Sequence, residues 1–124
     1  MTELAECRIL LVEDEYMLAL DLQNELEDRG AFILGPEASV DGALRRVAQE
    51  SRIDAAVLDV NLGGEFVFPV ADALLARHVP FIFSSGYEDG VTRGRYPDIV
   101  NCGKPINMSH MLQTIRHMLN AAIS

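Results

Sequence analysis

The chain has 124 residues, 49% of them hydrophobic and 23% charged, a length and composition that suit one globular domain and exclude disordered, collagen-like and two-domain readings. Ten Lys and Arg stand against nineteen Asp and Glu, a formal net charge of -9, so neither nucleic acid nor an anionic membrane surface is an expected partner. No apolar run reaches the ~18 residues of a membrane span and no signal peptide opens the chain, while Cys7 and Cys102 form no CxxC pair; the expected compartment is the cytoplasm.

Residues 9–12 form a short apolar run that reads as a buried strand and ends abruptly in Glu13 and Asp14. Leu18, Leu22 and Leu26 recur at helical spacing, and Gly30 is placed to end that helix because glycine tolerates the left-handed conformation. A second strand is expected over 32–34, and a shorter helix from Ala43, Leu44, Val47 and Ala48. The third strand, 55–58, runs into Asp59, followed by Asn61 and by Gly63 and Gly64, which are expected to let the backbone turn near an anion. Val67, Ala71 and Leu75 predict a third helix, and 81–83 a fourth strand running into Ser84 and Ser85. Residues 88–97 hold Gly90, Arg93, Gly94 and Arg95 and little apolar periodicity, so the fourth helix should be short or mobile. A brief fifth strand at 99–100 precedes Lys104, and Met108, Met111, Leu112, Ile115, Met118 and Leu119 keep a helical stripe to the end.

Strand and helix thus alternate five times with no internal repeat or linker. That order predicts a single α/β domain over residues 1–124, a doubly wound five-stranded parallel sheet covered by helices on both faces. In such a sheet ligands bind beyond the carboxyl ends of the strands. The residues there would be Glu13, Asp14, Asp59, the serine pair and Lys104. Carboxylates packed that closely repel by roughly 4 kcal/mol per pair at about 4 Å and an effective dielectric near 20. A hard divalent cation suits an all-oxygen site, and magnesium keeps waters free for a phosphate ligand. With Mg2+ and Lys104 the formal charges of three carboxylates cancel. Phosphoryl chemistry follows as the expected use, with Asp59 as nucleophile and Ser85 and Lys104 reaching the arriving oxygens.

The motifs "ILLVEDE", "VLDVNLGGE", "PFIFSSGYED" and "GKP", in this order, resemble the receiver domain of two-component response regulators over essentially the whole chain. The resemblance implies a flavodoxin-like sheet of strand order 2-1-3-4-5 and a stand-alone receiver without an output domain. It makes Asp59 the phosphoacceptor, and Asp14, Asp59 and the backbone carbonyl of Asn61 the Mg2+ ligands, with Glu13 acting through water. Ser85, five residues after Pro80, matches the switch hydroxyl, Lys104 the family's lysine, and the Lys104–Pro105 bond is expected to be cis. Such a domain is not an enzyme in its own right; it takes its phosphoryl group from a histidine kinase and signals by protein contact or acts as a phosphate sink. Two departures stand out. Asn101 occupies the usual switch-aromatic position, and "PFIFSSGY" is similar to a subfamily reading Phe-x-Phe-Ala-Thr-Gly-Tyr, which implies a kinase of the HWE or a related type. The downstream protein target is not indicated.

Each residue also has a plainer use. Asp59 could cap a helix, Glu13 and Asp14 could favour a helix dipole, Ser84 competes with Ser85, and Tyr87 could be a half-buried loop residue. His78, His110 and His117 lack ligand spacing and should be structural or solvated, and both cysteines should pack in the core. A haloacid-dehalogenase-type phosphatase needs a second aspartate where Asn61 stands, and a nucleotide site needs a glycine-rich cradle where the first loop reads "EDEY". The remaining alternative is a phosphorylation-independent adaptor with a receiver fold.

Overall fold

The structure is a computed structural model and describes residues 4–86 and 90–123. The elements are β1 (Arg8–Val12), α1 (Tyr16–Asp28), β2 (Phe32–Glu37), α2 (Val40–Gln49), β3 (Ala55–Asp59), β4 (Asn61–Leu62), β5 (Glu65–Phe66), α3 (Phe68–Ala76), β6 (Phe81–Ser84), α4 (Gly90–Arg95) and α5 (Met108–Ile123). The main sheet is parallel in the order β2-β1-β3-β6, and β4 and β5 form a separate antiparallel ribbon.

Strand alternation splits the core in two. Leu10, Val12, Ala56, Leu58, Phe81 and Phe83 face a cluster completed by α2, α3 and Tyr96. Ile9, Leu11, Ala55, Val57 and Ile82 face a second cluster with Leu22 and Leu26 of α1 and Met111 and Ile115 of α5. Burying each such Leu, Ile or Phe is worth roughly 1.5–3 kcal/mol, so the strands are anchored from both faces and their carboxyl ends are held in one line. Local signals agree. Gly30 ends α1 at φ +96°, and Ser39 caps α2 by accepting the Gly42 N–H at 3.0 Å.

The predicted fifth strand is reduced to a single bridge between Phe83 and Asn101. Phe83 N–H donates to Val100 O at 2.9 Å and accepts at its own carbonyl from Cys102 N–H at 2.8 Å. This segment occupies the fifth-strand place beside β6, but its apolar run is two residues long and Val100 is exposed, too little for a ladder. Three of the apolar positions expected in strands or helix stripes also fall outside the core. Leu75 is exposed, the buried face of α3 being Phe68, Val70, Ala71 and Leu74; Ala48 points out of α2; and Phe32, on the edge strand, is exposed beneath the Arg8 guanidinium. The Lys104–Pro105 bond is cis, as is Gly35–Pro36. Among the described residues no helix is long and apolar enough to cross a membrane.

Candidate functional site

Glu13 follows the last residue of β1 and Asp59 ends β3; both are buried, at 3% and 6% exposure, while Asp14 is exposed. One oxygen from each of Glu13, Asp14 and Asp59 lies within 4.8 Å of the others. Lys104 Nζ stands 3.2 Å from Glu13 Oε1 and 3.4 Å from Asp59 Oδ2. Three of the four remaining carboxylate oxygens take backbone donors. Glu13 Oε2 accepts from Glu15 N–H at 3.0 Å, Asp14 Oδ2 from Gly63 N–H at 2.9 Å, and Asp59 Oδ1 from Asn61 N–H at 3.3 Å.

Burial raises the Asp59 pKa to about 7, helped by the hydrogen bond and charge of Glu13; Lys104 and the Asn61 N–H pull the other way. Burial pushes Lys104 down, but Asp59 and Glu13 outweigh it and hold the ammonium above its ordinary value. Three carboxylates and one ammonium leave two negative charges uncompensated. The donors are all oxygen, and their spread is slightly wider than the ~4.2 Å between opposed oxygens of a Mg–O pair. The residues therefore fit a small, hard divalent cation.

Ser84 closes β6 as the register partner of Asp59. It is 1% exposed, and its Oγ has no hydrogen-bond partner among the described residues. Ser85 is buried next to it, in the loop flanked by Gly103. Asn61 opens the ribbon and accepts the Gly64 N–H at 2.9 Å. Gly63 and Gly64, at φ +56° and +92°, form the two-residue turn between β4 and β5. The Gly63 N–H is already committed to Asp14. Asn101 folds back on its own loop, its Oδ1 accepting the Gly103 N–H at 3.0 Å. Tyr87 lies outside the described residues.

Sequence reasoning missed Tyr96. Its ring is buried among Phe68, Phe81 and Phe83 at centroid distances of 5.3–6.4 Å, and its hydroxyl donates to Asp72 Oδ1 of α3 at 2.7 Å. Burial and Asp72 push its pKa up to about 12. Arg95 lies over the Phe68 and Tyr96 rings. The available signal was the i, i+4 pair of Thr92 and Tyr96, both buried, in a stretch otherwise free of apolar periodicity. The histidines are exposed, and His78 takes the left-handed position after α3 at φ 58°. Cys7 and Cys102 pack against the α1–α5 core, where burial raises both thiols, so neither is activated. A cleft of about 340 Å³ runs from Glu13 and Asp14 along α1, past Tyr16 and Leu20 to Pro36.

No family model matches the chain. Over 110 residues, 84% of its length, it is 27% identical to the phyllosphere-induced regulator PhyR of Methylorubrum extorquens, and it spans 41% of that relative. SdrG from Sphingomonas melonis Fr1, known in solution, is 41% identical with a TM-score of 0.78, covering 96% of this chain and 99% of that one. The BeF3-activated conformation of SdrG from Pseudomonas melonis Fr1 matches at 40% identity and a TM-score of 0.76, covering 93% and 98%. A response regulator receiver protein from Sinorhizobium medicae WSM419 shares the fold at 24% identity and a TM-score of 0.83, covering 94% and 96%.

Proposed function

Because the chain belongs to the receiver-domain family of response regulators, we propose that it is a phosphorylation switch that accepts a phosphoryl group on Asp59. The observation that carries this reading is the setting of Asp59: a buried carboxylate at the end of the central strand, touched by Lys104 and within 4.8 Å of the Glu13 and Asp14 oxygens. The BeF3-activated form of the SdrG relative supports a phosphoryl group as the ligand.

Asp14, Asp59 and the backbone carbonyl of Asn61 would hold Mg2+, with Glu13 acting through water, and the ion supplies charge neutralisation for phosphoryl oxygens when bound. The donor is a kinase phosphohistidine. An ionised Asp59 oxygen attacks phosphorus, the P–N bond breaks with its electron pair passing to the imidazole, and an acyl phosphate forms on Asp59. Lys104 moves from the carboxylate pair onto a phosphoryl oxygen, and Ser85 donates its hydroxyl to another. The chain is thus phosphoacceptor rather than enzyme. The kinase is of the HWE or a related type, by the likeness of "PFIFSSGY" to that subfamily. The cytoplasm is the proposed compartment, and the signal leaves by protein contact or ends in a phosphate sink.

Intact mass after incubation with Mg2+ and a small acyl phosphate tests this. A single phosphoryl adduct is expected on the wild type and on neither Asp59→Asn nor a metal-free sample. No adduct from the small donor or from phosphorylated kinase would select the adaptor reading.

A further inference from the structure

We infer that Ser84 is a second working hydroxyl of this site, a positioning residue that holds the Lys104 ammonium once Glu13 and Asp59 no longer do; this rests on the phosphoacceptor reading of Asp59. The alternation that sends Leu11, Val57 and Ile82 to the α1–α5 core carries Glu13, Asp59 and Ser84 onto the same side two residues later. Asp59 and Ser84 are register partners on strands about 4.8 Å apart. Lys104 comes from the segment beyond β6, which bridges Phe83 at Asn101, and a Cβ on Gly86 would lie 3.8 Å from its Cβ. From there its Nζ reaches Asp59 on β3 and Glu13 after β1, so the stem crosses the end of β6, where Ser84 sits.

A hydroxyl buried to 1% without a partner among the described residues is an unfavourable place for serine, since alanine would fill the same space at no polar cost. An acceptor needed in another state of the site removes the paradox. Without a cation, Lys104 pairs with Glu13 and Asp59. When Asp59 gives an oxygen to a cation and Glu13 turns to a water on it, or Asp59 carries a phosphoryl group, the three ammonium protons need new acceptors. A phosphoryl oxygen takes one and Ser84 Oγ takes another, fixing the lysine where the transferred group arrives.

The test compares wild type, Ser84→Ala and Ser84→Thr. Thermal melting without metal controls for folding, and Ser84→Ala should melt at or above wild type because an unpaired hydroxyl has gone. In Mg2+, the Lys104 15Nζ resonance should show slow proton exchange in wild type and Ser84→Thr and fast exchange in Ser84→Ala. With a small acyl-phosphate donor, Ser84→Ala should lose about tenfold in maximal phosphorylation rate, the worth of one hydrogen bond to a charged group, at unchanged half-saturating donor. Wild-type exchange and rate in Ser84→Ala would overturn the inference. A wild type that takes no phosphoryl group, yet whose lysine signal still depends on Ser84, would sink the phosphoacceptor reading and leave the positioning role standing.

Discussion

The two edges of the sheet are built differently. At one edge β2 pairs with β1 at four positions and continues to Glu37, whose carbonyl accepts the Glu13 N–H at 2.9 Å. At the other, beyond β6, one bridge replaces a strand, and the side is held instead by ring packing of Phe68, Phe81, Phe83 and Tyr96 and by the Tyr96–Asp72 hydrogen bond. A ladder is cooperative and directional, whereas packed rings repack with less loss of hydrogen bonding. The acid pair is therefore fixed from the laddered edge, and the serines and Lys104 from the edge able to rearrange. That is the division the proposed switch requires, a fixed acid site beside a segment that can rearrange.

The largest test of the comparison is Phe83→Ala, which removes the central ring of the packed edge. It should cost about 3–5 kcal/mol by cavity formation, read from denaturant melts, with amide exchange rising most in 90–102. A loss spread equally over β1 and β2 would break the contrast.

Asp59→Asn probes the strand where the edges meet. The folded-state pKa of Asp59 is raised from 3.8 to about 7, so between those values the folded chain binds more protons than the unfolded one. Stability contributed by the protonated form is complete below the unfolded value and is lost as pH rises through the folded value. Without metal, Asp59→Asn should exceed wild type by on the order of 1–3 kcal/mol at pH 8 and match it at pH 3. Mg2+ at pH 8 should restore the wild type and not the variant, as read by thermal melting.

Gly35→Ala attacks the laddered edge. Gly35 has φ +101°, and an added Cβ would meet Glu37 N at 2.7 Å and Leu11 O at 2.9 Å. The expected cost is on the order of 1–3 kcal/mol, with lost amide protection in β2 and the Glu13 N–H and none in 90–102. Tyr96→Phe is the smallest change. Its ring packing stays and the Asp72 bond goes, at about 1 kcal/mol, since Asp72 is half exposed and returns to water. Faster amide exchange confined to α4 and residues 99–102 would sharpen the contrast; unchanged exchange there would show that the rings alone hold this side.

The site was legible because β1, β3 and β6 are buried on both faces and apolar almost throughout, so a carboxylate or serine at their ends is conspicuous. Glu13, Asp14, Asp59 and Lys104 were found that way and do converge. Leu75 was misread because apolar identity at an i+4 step does not say which side of α3 meets the sheet. The fifth strand takes its expected place beside β6, but its extent was not legible because strand pairing belongs to two segments, and among the described residues it is a single bridge from Phe83 to Asn101.

Local rules in the sequence, the alternation of strands, the stop at Gly30 and the strand-end polar residues, were enough to determine the layered fold and the acid site, since each acts within a few residues. Tertiary structure alone decided that the Gly63 N–H answers Asp14, that Tyr96 and Asp72 tie α4 to α3, and that Ser84 has a buried hydroxyl with no described partner. These are pairings, or the lack of one, between positions distant in the chain, and a hydrogen bond depends on where the second atom lies, which no single segment specifies.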